Sequence, residues 1–415
     1  MRSHFFSAKY SIHIFVTLCS IWYVALPLLI HQFFLPVDFL MDLAQISALG
    51  LLASVLGWRI RIFPVKQGMP TFVHTGSTFH YVLWIFFSLF FLITIITASS
   101  VPLFDSFAGA DANQLSEGRG AFLKGREGYL SSLLFINTLL VTGFIPYSLA
   151  CLYLTKRKIY LVAMLLFLFY CISYLVKALF LTAMIPVLYV YFTLHGARLG
   201  QYLKVVVIVV CGLTAMAFLS GGTGDTGKTE TASSDIGYLA ANYRPSNSLD
   251  FIIWRSVAIP IITAGDTLKV HSQQYSGAPL MGRTNGLISF LFGMERVNVE
   301  KDVHAEQFGG VNETANANAF FLTEGYINFG MAGVIAFGVL AGLTLRFFKD
   351  SKNIAFSAIW PLYAIGLFNA SMLAMMFSSG FLLFFAYALV YEQKRVRRFR
   401  KSQKQARLSL ADEKS

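Results

Sequence analysis

Long apolar runs separated by short polar segments recur from one end of the chain to the other. A helix needs about 17–25 residues to cross a hydrocarbon core of ~30 Å, and runs of about that length or more read at roughly 10–35, 38–58, 79–100, 129–154, 159–176, 178–195, 203–220, 319–345, 354–375 and 377–391, the last of them short. The pattern predicts an all-α polytopic integral membrane protein with about ten transmembrane helices. It divides the chain into helices one to seven with short loops (1–220), a large loop (221–318), helices eight to ten (319–391) and a polar tail (392–415). No small-x-small site follows the first run and a second span comes almost at once, so the first run is predicted to be retained rather than cleaved as a signal peptide. No internal repeat or heptad array interrupts the pattern.

Composition agrees. The 415 residues are 56% hydrophobic and 13% charged, with a mean hydropathy of +0.62, far from the composition of soluble domains. Charge then orients the spans, because Lys and Arg in short loops are retained on the cytoplasmic side. Arg2 and Lys9 precede the first span; Arg59, Arg61 and Lys66 follow the second; Lys156, Arg157 and Lys158 follow the fourth; Arg198 and Lys204 follow the sixth; Arg346, Lys349 and Lys352 follow the eighth. The tail "EQKRVRRFRKSQKQARLSLADEKS" carries nine basic and three acidic residues, half of the formal net charge of +12. All these clusters fall on one side, which predicts both termini in the cytoplasm and the loops 101–128 and 221–318 outside it. Basicity so placed reports topology and contact with anionic lipid head groups, not nucleic acid. Cys19, Cys151, Cys171 and Cys211 lie inside apolar runs, with no C-x-x-C spacing for a metal.

One stretch invites another reading. "GGTGDTGKTE" contains a full G-x-x-x-x-G-K-[ST] match from Gly222 to Thr229. A phosphate loop needs a strand before its glycines and a helix after them; here a membrane span precedes the match and "ETASSDIGYLAANYRPSNS" follows it. The match also falls on the outer face, where ATP is not maintained. It reads as a polar linker, and no ATP is expected to bind.

Chemistry is expected on the outer side. Arg119, Lys124 and Arg126 precede the fourth span, and Arg244 and Arg255 lie in the large loop, against the positive-inside bias. Guanidinium groups at a membrane interface suit bidentate phosphate binding, which makes a lipid-linked pyrophosphate a natural partner; snorkelling to head groups is the competing reading, favoured for Lys124. Arg255 interrupts the apolar run "FIIWRSVAIPIITAG", which reads as an interfacial or re-entrant helix broken by Pro260 and Gly265. Lys177 sits within an apolar stretch long enough for two spans back to back, with a tight turn near the Lys. From His304 to Leu343 the chain concentrates Glu306, Glu313 and Glu324, Asn312, Asn316, Asn318 and Asn328, and Tyr326 at the mouth of a span. Such groups pair with sugar hydroxyls, and an interfacial carboxylate can serve as a general base. Glycines 325, 330, 333, 338 and 342 predict close approach of a neighbouring helix. His271 and His304 read as lone loop histidines.

The segment "NETANANAFFLTEGYINFGMAGVIAFGVLAG" resembles the signature of the Wzy-type O-antigen and oligosaccharide repeat-unit polymerases, in which an E-x-A-N-A-N-like run precedes an acidic-aromatic-N-F-G stretch. "DFIIWRSVAIPIITAGD" resembles their arginine helix, "YLVKALFLTAMIPVLYVY" their double span, and "GRGAFLKGREGYLSSLL" their first outer arginine loop. The likeness covers roughly 115–345 through degenerate motifs in the family's order. Lys177 departs from it, standing where the family commonly has Arg, which keeps the charge and loses the bidentate fork.

The resemblance implies a body like that of GT-C glycosyltransferases and O-antigen ligases. It also implies an enzyme of the bacterial inner membrane that joins undecaprenyl-pyrophosphate-linked repeat units on the outer face, with membrane lipids, a flippase and a chain-length regulator as partners and with no metal or cofactor. On that reading Arg255 and Arg119 or Arg126 face pyrophosphate, and Glu313 is the leading base. Asn316, Asn318 and Glu324 touch or orient sugar; Lys177, Arg244, Arg283 and Tyr326 bind substrate; His304 is a further catalytic candidate. An O-antigen ligase is the nearest alternative, although "NANAFF" stands where a ligase carries a His-Asn-rich signature. A transporter or flippase is the next, although it should show midplane charges in both halves.

Overall fold

The structure, a computed structural model, describes residues 7–34, 37–61, 77–110, 112–123, 126–156, 158–196, 253–308, 319–351 and 353–389, with positions 200, 203, 204, 207, 250 and 317. Among the described residues every regular element is a helix. Five of the described helices are long and apolar enough to cross a membrane: α1 (Ala8–Phe33), α2 (Asp38–Arg59), α3 (Thr78–Ile96), α6 (Gly128–Leu154) and α12 (Phe321–Asp350). Between them stand the short α4 (Pro102–Phe107) and α5 (Ala112–Leu123), the apolar α7 (Ile159–Tyr174) and α8 (Lys177–His195), and α9 (Ile259–Gln274), α10 (Gly286–Leu291) and α11 (Val299–Phe308) of the large loop. After α12 come α13 (Ile354–Ser357), α14 (Trp360–Asn369) and a last helix, α15, over 381–389. The span expected at 203–220 and the basic tail lie outside the described residues.

Among the described residues two large apolar cores and a small third one, Trp254, Ala258, Ile259 and Ile262, hold the helices together. One large core joins α3 to α7 with the first half of α8, around Phe87, Phe122, Phe167 and Tyr170. The other joins α1, α2, α9, α11 and α12 with the helices after it, around Tyr23, Phe320, Phe321, Phe348 and Tyr363. The turn expected near Lys177 is present: α7 ends on Leu175 in the left-handed region (φ 52°) and extended Val176 opens α8.

The expected single span at 319–345 is broken. Phe329 (φ −138°, ψ 15°) and Gly330 (φ 61°, ψ −152°) interrupt α12, and only glycine takes the second pair of angles without strain. The chain doubles back there. Eight residues along a straight helix would separate Gly325 and Gly333 by about 12 Å, yet a Cβ added to Gly333 would stand 2.1 Å from the carbonyl oxygen of Gly325. The outcome is a short arm, 321–328, and a long arm, 331–350, whose twenty residues reach about 30 Å, a full crossing.

The long arm packs parallel to α2 through small residues. Added Cβ atoms at Gly338, Gly342 and Gly57 would stand 2.3, 2.0 and 2.2 Å from the carbonyl oxygens of Gly50, Ser54 and Val339. The backbones therefore touch, as the glycine spacing predicts for 338 and 342, and membrane helices associate through such contacts. Gly325 and Gly333 instead serve the fold-back. At the far end the Arg346 and Lys349 cations lie 5.6 and 5.0 Å from the Trp58 ring, so the basic clusters after α2 and α12 share one end of the pair.

Two further expectations are corrected. Pro260 and Gly265 do not break their helix. A π-turn, Trp254–Ala258, leads into α9, and Pro260 sits in the first turn of α9, where a missing N–H is tolerated. The Ser256 carbonyl, which a residue 260 with an N–H would engage, instead accepts the Trp22 indole N–H at 3.1 Å. His271 and His304 are not loop residues: His271 is buried in the last turn of α9 and pairs through Nε2 with the Ala278 carbonyl at 2.9 Å, and His304 lies within α11.

Candidate functional site

The break in α12 is where polar groups converge. The short arm carries Thr323, Glu324 and Asn328, all buried. Asn328 fixes the arm to the loop before α10: its Oδ1 accepts the Gly282 N–H at 3.0 Å, and its Nδ2 donates to Thr284 Oγ1 and to the Glu324 carbonyl, each at 3.0 Å. The N–H groups of Leu280 and Met281 donate to the Ile327 and Asn328 carbonyls at 2.9 Å, which satisfies the last-turn acceptors that a helix end leaves open. Asn328, a candidate for sugar contact, is thereby committed to scaffold.

Glu324 fixes the other side. One carboxylate oxygen accepts the Ser371 hydroxyl and the other accepts the Leu373 N–H at 3.2 Å, so the short arm is tied to the turn after α14. A carboxylate 3% exposed stands only where such donors replace water.

Between these ties lies a cavity of about 170 Å³. Its polar lining comes from Thr267 of α9, Asn285, Arg296 and Asn298 of the loop between α9 and α11, Glu300 of α11, and Glu324. Glu300 lies close enough to Glu324 for their charges to interact. The loop that carries Arg296 is held in place: the Arg283 Nε donates to the Glu295 carbonyl and the Val297 N–H donates to the Arg283 carbonyl, both at 2.9 Å. Before α12, the Ala317 N–H donates to the Glu300 carbonyl at 3.0 Å and Ala319 lines the cavity. A second cavity of about 350 Å³, between α1 and α14, is apolar apart from Ser256 and Asn369.

The wall behind Glu300 is a polar seam between α9 and α11. Gln307 Nε2 donates to Asp266 Oδ2 at 2.9 Å, the Tyr275 hydroxyl donates to Asp302, and Lys269 pairs with Glu306 at 2.5 Å. Burial holds the Asp266 carboxyl above the usual carboxylate range, and the Gln307 bond and the Lys269 charge offset part of that rise. Burial and the bond to Asp302 likewise push the Tyr275 phenol up.

The residues singled out from sequence are dispersed. Glu324 lines the cavity. Arg283 staples the adjoining loop, and Tyr326, half-buried, packs edge-on to His271 with ring centres 6.1 Å apart. Arg255 is exposed on the π-turn before α9 and does not line the cavity. Arg119 is half-buried on α5, where its charge acts on Tyr174. Arg126 donates to the Phe122 and Thr94 carbonyls at 2.9 and 2.7 Å and to the Thr97 hydroxyl; it caps the end of α3, and burial lowers its pKa. Lys177 opens α8. Glu313, Arg244, Asn316 and Asn318 lie outside the described residues. Glu300, Arg296 and Ser371 were not singled out, and no spacing signal marks them: Ser371 meets Glu324 across 47 residues of chain. Among the described residues no group of three His, Cys, Asp or Glu is placed to hold a metal. Compared with known proteins, the chain matches no family model, no curated sequence and no solved structure.

Proposed function

We propose that the protein is a glycosyltransferase of the bacterial inner membrane that polymerises undecaprenyl-pyrophosphate-linked repeat units on the extracytoplasmic face. The growing chain passes from its lipid to a terminal hydroxyl of the next lipid-linked unit, and undecaprenyl pyrophosphate leaves. The observation that carries this reading is the polar cavity at the break in α12, floored by the buried carboxylate of Glu324, beside helices long and apolar enough to cross a membrane. Hydroxyl, amide and carboxylate groups around one cavity suit a polyhydroxylated substrate. The order of the motifs over 115–345 supports the same reading.

Transfer of this kind needs no ATP, because the anomeric carbon is already joined to a leaving group. The enzyme has to place two lipids, take a proton from the acceptor and stabilise charge on the departing pyrophosphate. The test is the lipopolysaccharide ladder of a deletion strain. Loss of the ladder with a surviving single-unit band is the expected result. Loss of the single-unit band as well would mark a ligase, and an unchanged ladder would remove the protein from this pathway.

A further inference from the structure

The short helix α10 is built inside out. Asn285 caps it, its Oδ1 accepting the N–H groups of Leu287 and Ile288 at 3.0 and 3.2 Å, and Ser289 donates to the Arg283 carbonyl at 3.1 Å; both polar side chains are buried. Leu287, Phe290 and Leu291, which helical spacing brings to one side, are exposed, and Phe290, Leu291 and Phe292 are 81, 66 and 73% exposed. A helix between a protein core and water does the reverse, turning its apolar side inward. Between Met281 and Gly293 only Arg283 is charged, and its Nε is held by the Glu295 carbonyl.

The apolar exposure does not stop at α10. The N–H groups of Leu280 and Met281 bond to the last carbonyls of the short arm, which sets exposed Met281 beside the break, and a Cβ added to Gly282 would stand 3.5 Å from the Phe329 ring. From Phe329 the exposed side chains continue along the long arm at Met331 and Ile335. The long arm is of crossing length, so an apolar flank on it faces lipid chains, and α10 extends that flank at the end away from Arg346 and Lys349. Contiguous apolar surface of this kind marks a protein or membrane contact. Phe290, Leu291 and Phe292 do not share a face; they project around the end of the helix, which fluid chains can surround and a single protein surface covers on one side only.

We infer that α10 and Phe292 are seated in the membrane leaflet at the break, with lipid chains packed around them, as an apolar side rich in Phe and Leu does at an interface. Such seating requires no enzymatic activity and stands whether or not the protein is a polymerase. The same loop lines the polar cavity through Asn285, Gly286 and Arg296. Insertion of its apolar side therefore sets the cavity at the membrane surface, where a polar group still attached to a lipid chain reaches it without leaving the leaflet.

The experiment places the full-length protein in phosphatidylcholine vesicles, with Leu291→Cys carrying an environment-sensitive fluorophore on its thiol. Gln274→Cys, at the exposed end of α9, is the aqueous control, and wild type labelled in parallel gives the background of the four native cysteines. Lipids bearing a nitroxide on one chain should remove most of the emission at 291 and little at 274. Iodide on both sides of the vesicle should do the opposite. Phe292→Cys takes the place of Leu291→Cys if that variant does not fold. Iodide quenching at 291 equal to that at 274 overturns the inference, because α10 then faces water. Protection of 291 from both quenchers overturns it as well, and a disulfide-linked dimer of Leu291→Cys then identifies a second copy of the chain as the cover.

Discussion

The two arms of α12 are held by opposite means. The long arm, 331–350, meets α2 backbone to backbone through Gly338 and Gly342 against Gly50 and Ser54, and at its far end Arg346 and Lys349 lie over Trp58. The short arm, 321–328, is held by Asn328 on one side and Glu324 on the other, through hydrogen bonds to two loops distant in sequence. Packing of small residues fixes a crossing helix without choosing what it presents. Directed bonds fix a segment of two turns in one orientation, and that orientation puts a carboxylate at a cavity. Division of labour within one stretch of thirty residues therefore supplies both an anchor and a site.

The comparison breaks most severely at the anchor. Gly342→Ala places a methyl 2.0 Å from the Ser54 carbonyl oxygen, where backbone rather than a flexible side chain must give way. Overpacking of this kind costs about 1–3 kcal/mol or more, and the expected outcome is loss of most of the protein from the membrane fraction, read by immunoblot. Gly200→Ala, with nothing within 4 Å of the new methyl, should leave the level unchanged. Next in size is Gly330→Ala. That methyl also meets open space, so any loss isolates the backbone conformation: φ 61°, ψ −152° costs a side-chain-bearing residue about 1–3 kcal/mol. A lowered melting temperature in detergent is expected, with the proposed transfer activity falling further than stability because the short arm loses its fold-back.

Most of the crossing helices were legible as runs of apolar residues, since a hydrocarbon core imposes length and composition at once. The boundaries read at 38–58 and 129–154 lie within a residue of α2 and α6. The break at Gly330 was not legible, because "YINFGMAGVIAFG" stays apolar on both sides of it and hydropathy carries no record of φ and ψ. Pro260 misled for a related reason: a proline ends a helix when its neighbours need its N–H, and here the Trp22 indole from α1 replaces that donor. The site was legible only as far as Glu324. Glu300, Arg296 and Ser371 reach it through tertiary contacts with no sequence period, while arginines that looked alike in sequence diverge in place, with Arg126 capping a helix end and Arg255 exposed.

The polar side of the comparison sharpens with smaller changes. Asn328→Ala leaves the Gly282 N–H without its acceptor in a buried place, which costs about 1–3 kcal/mol. The loss should appear as faster proteolysis within 280–300 rather than as loss of protein from the membrane, because the anchor is untouched.

The smallest effect belongs to Asp266, in the wall behind the cavity, and its sign can be worked out. Burial raises its pKa in the folded protein above the ordinary 3.8. Between the two values the folded state holds more protons than the unfolded one, so stability falls as pH rises from about 4 toward the folded value and stays lower above it. Asp266→Asn removes the charge, and its side-chain oxygen can still accept the Gln307 N–H. The variant should melt higher than wild type at pH 7 and equally at pH 4. Lys269→Met provides the opposing control: it deletes a cation whose nearness offsets the rise at Asp266 and whose pair with Glu306 is one-third exposed, a geometry that contributes about 0–1 kcal/mol. Wild type and Asp266→Asn melting in parallel from pH 4 to 7 would show that Asp266 is as well solvated in the fold as in the unfolded chain, and that the seam between α9 and α11 is more open than the buried ties around the short arm.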